Sequence, residues 1–511
     1  MDPAPRAGPI RRHPVLGAGP GLALATGLGL LAISTLLVLW ARTRPGFDPY
    51  GWLVWGHQTV IGSLNTNAAP SWKPLPYLFT VPLALTGPYQ PVLWTIVSAA
   101  VSLSGVIFAG RIAYRLTGPS PQRRYAPIVA ALFAAVALLG LRDYSHYILS
   151  AQSDPMVVAL CLGAIDCHLS ERPRCALALG TLASLGRPEV WPFLGLYSIW
   201  AWWRVRSMRW LILGAVLLIV VLWFGIPAFT SRSAFVAATN AMGSGRRLHS
   251  NRVLGTFDRF LDLHETTLEL VALLSVGLAL VRRDRVTLVL ALGALGWVAI
   301  EIVLALRGLP GLPRYMFEAG AVMIVVAGGG VGRILADPPW AHRARLRLPS
   351  LRARMGNLPR SATSDPTELT SPSPRRPSPS ARMSRVSAWV AVALVVLIAG
   401  SLVPAALSRA RVERGDLHVQ RLRTAEIGRL AKVVSRFGGP VRLRACGEPL
   451  TRLEYQTLVA WQLRVNVAHV GFKYGPAQRS TRPIVLLTPR RHGWRLQALH
   501  QRRASCRRLP R

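Results

Sequence analysis

The feature that most constrains this chain is a series of long runs without a charged residue, separated by short stretches dense in arginine. A helix rises 1.5 Å per residue, so a run of roughly 20 apolar residues matches the hydrocarbon core of a bilayer. Apolar runs with few or no charged residues cover about 17–40, 91–116, 125–141, 154–170, 175–186, 190–203, 210–229, 267–281, 286–306, 315–335 and 386–407. Charged residues make up 16% of the chain, against about 25% in an ordinary soluble domain. The pattern predicts an all-α polytopic membrane protein with about eleven transmembrane helices. The first run follows Arg6, Arg11, Arg12 and His13 and is too long for a signal-peptide core, so it reads as an uncleaved span.

Arginine placement sets the expected topology. Arg123 and Arg124, the ERPR turn at 171–174, Arg204, Arg206 and Arg209, and the RRDR turn at 282–285 all fall in loops on one side. By the positive-inside rule that side is the cytoplasm. The N-terminus is then cytoplasmic and the C-terminus extracytoplasmic, in the plasma membrane of a bacterium. Residues 41–75 read as an outer loop, 75–87 as a Pro-broken interfacial or re-entrant piece, and 230–265 as a long polar loop.

Four regions follow. Residues 1–335 form the main membrane domain. Residues 336–385, rich in Pro, Ser and Arg, form a basic cytoplasmic linker with too little apolar surface to fold. Residues 386–407 are the last span, and 408–511 are a small extracytoplasmic α/β domain. Within that domain 416–436 has helical periodicity, while 440–446 and 483–489 read as strands. Cys446 and Cys506 lie there. Outside the cytoplasm a disulfide between them is permitted; two reduced thiols are the alternative.

The net charge is 61 − 22 = +39, a value often met in nucleic-acid-binding proteins. Here only Lys73, Lys432 and Lys473 are lysines among the 61 basic residues. An Arg-only bias in an Ala-, Gly- and Pro-rich chain fits codon usage and topology, and no zinc-finger or RNA-binding signature is present. Nucleic acid is therefore not an expected partner; the lipid bilayer is.

Acidic residues are rare, so their positions carry information. On this topology Asp48, Asp143, Asp154, Glu189, Glu301 and Glu318 lie at or near extracytoplasmic span ends, together with Lys73, Arg187, Arg307 and Arg314. Ionisable groups at membrane depth are costly and mark function by default. Each also has a plainer reading. Asp48 stands in a Phe-Asp-Pro turn signal. Asp154 could cap the helix that begins at Pro155. Glu189 could complement a helix N-terminus, and Arg314 could pair with Glu318 four residues on. Lys73 resists such a reading better. A lysine kept where the chain otherwise writes arginine fits a compact ammonium used as a point contact to phosphate.

Asp48-Pro49-Tyr50 followed by Trp72-Lys73-Pro74-Leu75-Pro76-Tyr77, between the first two full spans, resembles the layout of GT-C glycosyltransferases. The nearest group in appearance is that of protein O-mannosyltransferases and lipid A aminoarabinose transferases. Ala151-Gln152-Ser153-Asp154-Pro155-Met156 resembles the second acidic position of that group, and Gly186-Arg187-Pro188-Glu189 a turn found in it. Two departures stand out: a single first Asp in place of an acidic pair, and Lys-Pro-Leu-Pro in place of Lys-Pro-Pro-Leu.

The resemblance implies inverting transfer of a sugar from a polyprenyl-phosphate donor to a glycan, lipid or protein acceptor on the extracytoplasmic face. It implies catalytic roles for Asp48, as general base, and Asp154. Lys73 and Arg187 would bind the donor phosphate, with Glu189 and Arg314 in support. Asp154 and Glu189 would orient the acceptor or help to hold a divalent cation, with no dedicated metal site expected. A non-catalytic envelope protein and a transporter are the competing classes. The absence of a visible internal repeat speaks against the second.

Overall fold

A computed structural model describes residues 19–118, 123–242, 251–337, 379–474, 482–490, 493–500 and 506. The chain opens with α1 (Pro20–Ala41), α2 (Phe47–Val60), α3 (Pro74–Ala84) and α4 (Gln90–Thr117). Then come α5 (Tyr125–Leu139), α6 (Tyr144–Leu149), α7 (Asp154–Leu169), α8 (Pro173–Gly186) and α9 (Trp191–Arg204). Helix α10 (Arg209–Val220) passes through a π turn at Val221–Gly225 into α11 (Ile226–Thr230). Helices α12 (Val236–Met242), α13 (Arg252–Leu261), α14 (Thr266–Arg282), α15 (Arg285–Leu306) and α16 (Phe317–Ala336) follow. The C-terminal part holds α17 (Pro379–Arg436), α18 (Gly439–Ala445), β1 (Glu448–Leu450), α19 (Gln456–Leu463), β2 (Ile484–Arg490) and β3 (Gly493–Leu499).

The protein is a multi-pass membrane protein. Among the described residues six helices are long and apolar enough to cross a bilayer: Gly21–Ala41, Gly87–Thr117, Arg206–Thr230, Arg285–Leu306, Pro313–Ala336 and Ala388–Arg436. A seventh arises if α13 and α14, bent by 96° at their junction, count as one broken span. Several helices start on a proline in the first turn (Pro20, Pro74, Pro155, Pro173, Pro192). There its fixed φ suits the helix and its missing N–H leaves no bond unmade.

The fold divides into two compact units. The first takes in residues up to Gly105, Ser145–Arg246 and Gly415–Arg511; the second takes in Val106–Tyr144 and Arg247–Arg414. The core of the first unit is aromatic: Trp52, Trp55, Trp72 and Trp94 are fully buried, with Trp52 and Trp94 edge-to-face at 6.1 Å. The second is built on α16, whose small residues allow close approach. A Cβ on Gly330 would collide with Ser275 Oγ, and one on Gly328 would lie 3.0 Å from Ala134 Cβ.

Three local expectations change. The expected strand at 440–446 lies instead on the helix α18 and its C-cap Cys446: Pro440 sits in the first turn, and Leu443 and Cys446, three residues apart, are buried while Arg442 and Arg444 face water. The outer loop at 41–75 contains α2, whose Trp52, Leu53 and Trp55 have no solvent exposure. The polar loop at 230–265 contains α12 and α13, the latter burying Thr256 and Phe260 on one face. Of the expected linker, 338–378 lies outside the described residues, while 379–385 form the first turns of α17.

Helix α17 has 58 residues, so it is roughly 87 Å long, far more than the roughly 30 Å of a bilayer core. The expected last span and the expected helix at 416–436 are therefore one continuous rod. Beyond it lies a three-stranded sheet of order β1-β2-β3. There β1 is parallel to β2 (Glu448 opposite Ile484) and β3 antiparallel to it (Ile484 opposite Leu499). Cys446 and Cys506 are joined by a disulfide, with Cα atoms 5.5 Å apart.

Candidate active site

Lys73 and Arg187 share a local device. Each stands immediately before a proline, and the proline ring excludes the helical backbone from the preceding residue. Lys73 accordingly has φ −141°, ψ 115°, and Arg187 φ −149°, ψ 129°. Both are extended residues at the mouth of a helical turn, and their side chains leave the helix direction.

Within the first unit the two cations meet one carboxylate. Asp154, the first residue of α7, has no solvent exposure and is ion-paired through Oδ1 with Arg187 Nη2. Lys73 Nζ lies 3.7 Å from the same oxygen and donates to Ser153 Oγ at 3.2 Å. Arg187 Nη1 is 3.6 Å from Glu189 Oε1. The four side chains carry two positive and two negative charges, which is how buried ions are tolerated at all. Exposure separates them: the side chains of Arg187, Asp154 and Glu189 are 3%, 0% and 7% exposed, that of Lys73 17%. Lys73 is the more exposed cation of this cluster, and its ammonium also stands 5.8 Å from the centre of the Trp52 ring.

A lattice of indoles and one glycine holds these segments. Trp72, beside Lys73, donates to Leu222 O at 2.9 Å, at the π turn in the α10–α11 rod. Such turns widen the helix and occur often at functional sites. Trp191 and Trp223 both donate to Ser184 O, at 3.1 and 2.9 Å, three residues before Arg187. Gly186 is the keystone. A Cβ there would collide with Val157 Cγ2, from the first turn of α7, and lie 2.9 Å from Leu75 Cδ2, two residues after Lys73. Gly186→Ala is expected to cost about 1–3 kcal/mol by overpacking. A thermal melt of the purified protein in detergent reads this out; an unchanged midpoint would mean that the three segments are not tightly packed there.

Asp48 is half-buried in the first turn of α2. Its segment is laid against the one leading to Asp154: Gly46 N donates to Ser150 O at 2.8 Å, and a Cβ on Gly46 would lie 2.8 Å from Gln152 Nε2. Phe47 O accepts from Thr457 Oγ1 at 2.7 Å, so the C-terminal domain touches the same turn. Thus Lys73, Asp154, Arg187 and Glu189 are brought together, with Asp48 on the adjoining segment. Arg314 belongs to the second unit, in the short turn Pro313–Met316, its guanidinium 5.5 Å from the Tyr315 ring. Asp154 does not cap α7; the N-cap position is Ser153, and Asp154 is spent on the ion pairs. Among the described residues no three His, Cys, Asp or Glu side chains gather as a metal site.

Sequence reasoning did not single out Trp52 or Trp223; Ser153 and Gly186 stand inside the quoted motifs but were given no role of their own.

The fold has solved counterparts. ArnT from Cupriavidus metallidurans in the apo state superposes with a TM-score of 0.51 at 16% sequence identity, over 91% of this chain and 93% of that one. The chain shares the overall fold of that ArnT. The same ArnT bound to undecaprenyl phosphate gives a TM-score of 0.48 at 16% identity, over 92% of this chain and 93% of that one. No family model matches the sequence, and no curated protein matches it significantly. The likeness is thus carried by three-dimensional arrangement and extends over nearly the whole chain. The ion cluster built on Lys73, Asp154 and Arg187 lies inside that shared fold.

Proposed function

We propose that this protein transfers a sugar from a polyprenyl-phosphate donor to a hydroxyl of a glycan, lipid or protein acceptor, at the extracytoplasmic face of a bacterial plasma membrane. The observation that carries the reading is Lys73. Its side chain is partly exposed, yet its ammonium is held between Ser153 and the buried Asp154, in a chain that shares the fold of ArnT. In this reading the N-terminus is cytoplasmic, the C-terminal domain is outside, and the shorter helices α5, α7, α8 and α9 cross as well, which restores about eleven spans.

The acceptor hydroxyl attacks the anomeric carbon while Asp48 takes its proton. The bond from that carbon to the phosphate oxygen breaks, and polyprenyl phosphate leaves with the electron pair. Single displacement inverts the configuration. Negative charge grows on the leaving phosphate, where Lys73 is placed to meet it, a preorganised cation being worth more here than in water. Arg187 contributes less directly. Its guanidinium is committed to Asp154 and Glu189, so it adds positive potential to the phosphate site chiefly by holding Asp154 in place beside Lys73.

The test is sugar transfer in membranes from radiolabelled polyprenyl-phosphate sugars. Asp48→Asn is expected to lower the rate by about 10²–10⁴-fold, the usual contribution of a positioned general base. Wild-type membranes that transfer no sugar from any such donor would favour a non-catalytic envelope protein. A variant as fast as wild type would remove Asp48 from the chemistry.

A further inference from the structure

The segment that presents Ser153 and Asp154 is tied down almost residue by residue. Ser150 O accepts from Gly46 N, Ala151 O from Trp94 Nε1 at 3.1 Å, and Gln152 O from Ser98 Oγ at 3.4 Å. Upstream, α6 enters this segment, with Ser150 N bonded to His146 O and Gln152 N to Tyr147 O. His146 itself is held from another direction. Its Nδ1 is 2.9 Å from both carboxylate oxygens of Asp416 on α17, and Gln420 Nε2, one turn further along, donates to Asp416 Oδ2.

Even when fully charged, a pair as exposed as this one, 40% for His146 and 27% for Asp416, contributes about 0–1 kcal/mol. Stability is therefore a poor reason for it. Its place in the chain is more telling. Five residues beyond Asp416, Arg421 donates to Ala41 O and Trp40 O, both at 3.0 Å, and stacks on the Trp40 ring at 5.3 Å. One turn later Glu426 accepts from Tyr455 Oη at 2.8 Å, and its carbonyl accepts from Trp494 Nε1 at 2.9 Å. One stretch of α17 thus joins the C-terminal sheet, the end of α1 and the approach to Asp154.

We propose that His146 and Asp416 are positioning residues for the transfer: through this pair the helix carrying the C-terminal domain fixes the segment that sets Ser153 and Asp154 against Lys73. The pair touches neither Lys73 nor Asp154, and it acts on the geometry of the backbone between. The inference rests on the function proposed above, so its test has one readout that needs no activity.

The full-length protein is compared as wild type, His146→Ala, Asp416→Ala, the double variant and His146→Asn. Sugar transfer and amide hydrogen exchange over 146–154 are both measured. Either alanine variant is expected to lower kcat about tenfold to a hundredfold, the scale of a small misplacement of reacting groups, with the donor KM unchanged. The double variant is expected to be no slower than the singles, since both remove one interaction. His146→Asn, which keeps an N–H donor near the Nδ1 position, is expected to recover most of the rate. Exchange over 146–154 should quicken in the alanine variants. Wild-type rates in both alanine variants, additive losses, or unaltered exchange would each overturn the proposal. If wild type itself transfers no sugar, the proposed function falls and exchange alone decides the clamp.

Discussion

Lys73→Ala is expected to slow sugar transfer by about 10²–10³-fold while leaving the protein folded. The magnitude is that of removing one preorganised group aimed at developing charge. The expectation that folding survives comes from the charge pattern of the cluster. Asp154 keeps Arg187, to which it is ion-paired, so no carboxylate is left buried without a cation. Lys73 is also the member with solvent exposure, and its loss opens no deep cavity. Lys73→Arg should recover only part of the rate, because a planar guanidinium does not place a point charge where the ammonium stands between Ser153 and Asp154. Initial rates at saturating acceptor, with a thermal melt in parallel, check both halves. A Lys73→Ala enzyme as fast as wild type would remove the ammonium from the mechanism, and a collapsed melt would show the residue to be structural.

Arg187→Ala is expected to do the reverse and act first on stability. It leaves the carboxylates of Asp154 and Glu189 buried without their guanidinium, and breaking a buried pair from one side costs about 3–5 kcal/mol. The loss should appear as low yield and a lowered melting point, and activity should fall with it. Neutralising the carboxylates in the same chain, Arg187→Met with Asp154→Asn and Glu189→Gln, is expected to return most of the stability. It should not return transfer, because Lys73 would then lack the partner that orients it. A single Arg187→Ala protein that melts like wild type would show that the buried charges are not coupled as the geometry indicates.

The two cations of the site were legible for a definable reason. Each precedes a proline, and Lys73 is a lysine in an arginine-writing chain. Asp154 was legible too, but its role was ambiguous between a helix cap and a charge partner, a choice the sequence left open. The partner lies 33 positions away, and no periodicity of helix or strand reaches across that distance. Helix α2 was missed because its wholly buried face is mixed with Gly51, Gly56, His57 and Gln58, which read as loop composition. Residues 440–446 were misread because seven residues with alternating Arg fit a strand and a short helix equally, and only burial of Leu443 and Cys446 separates the two.

By itself the sequence determined what is local. Hydropathy placed the apolar helices and marked a chain that lives in a bilayer, because the length of an uncharged run must match the thickness of the hydrocarbon. The X-Pro steps fixed the extended backbone at Lys73 and Arg187, because the clash with the proline ring acts between neighbours. The tertiary structure alone decided which carboxylate meets which cation and which cation keeps some solvent exposure. Those outcomes depend on three separate segments closing on the bare Cα of Gly186, and on the Trp72 and Trp223 indoles that hold them there.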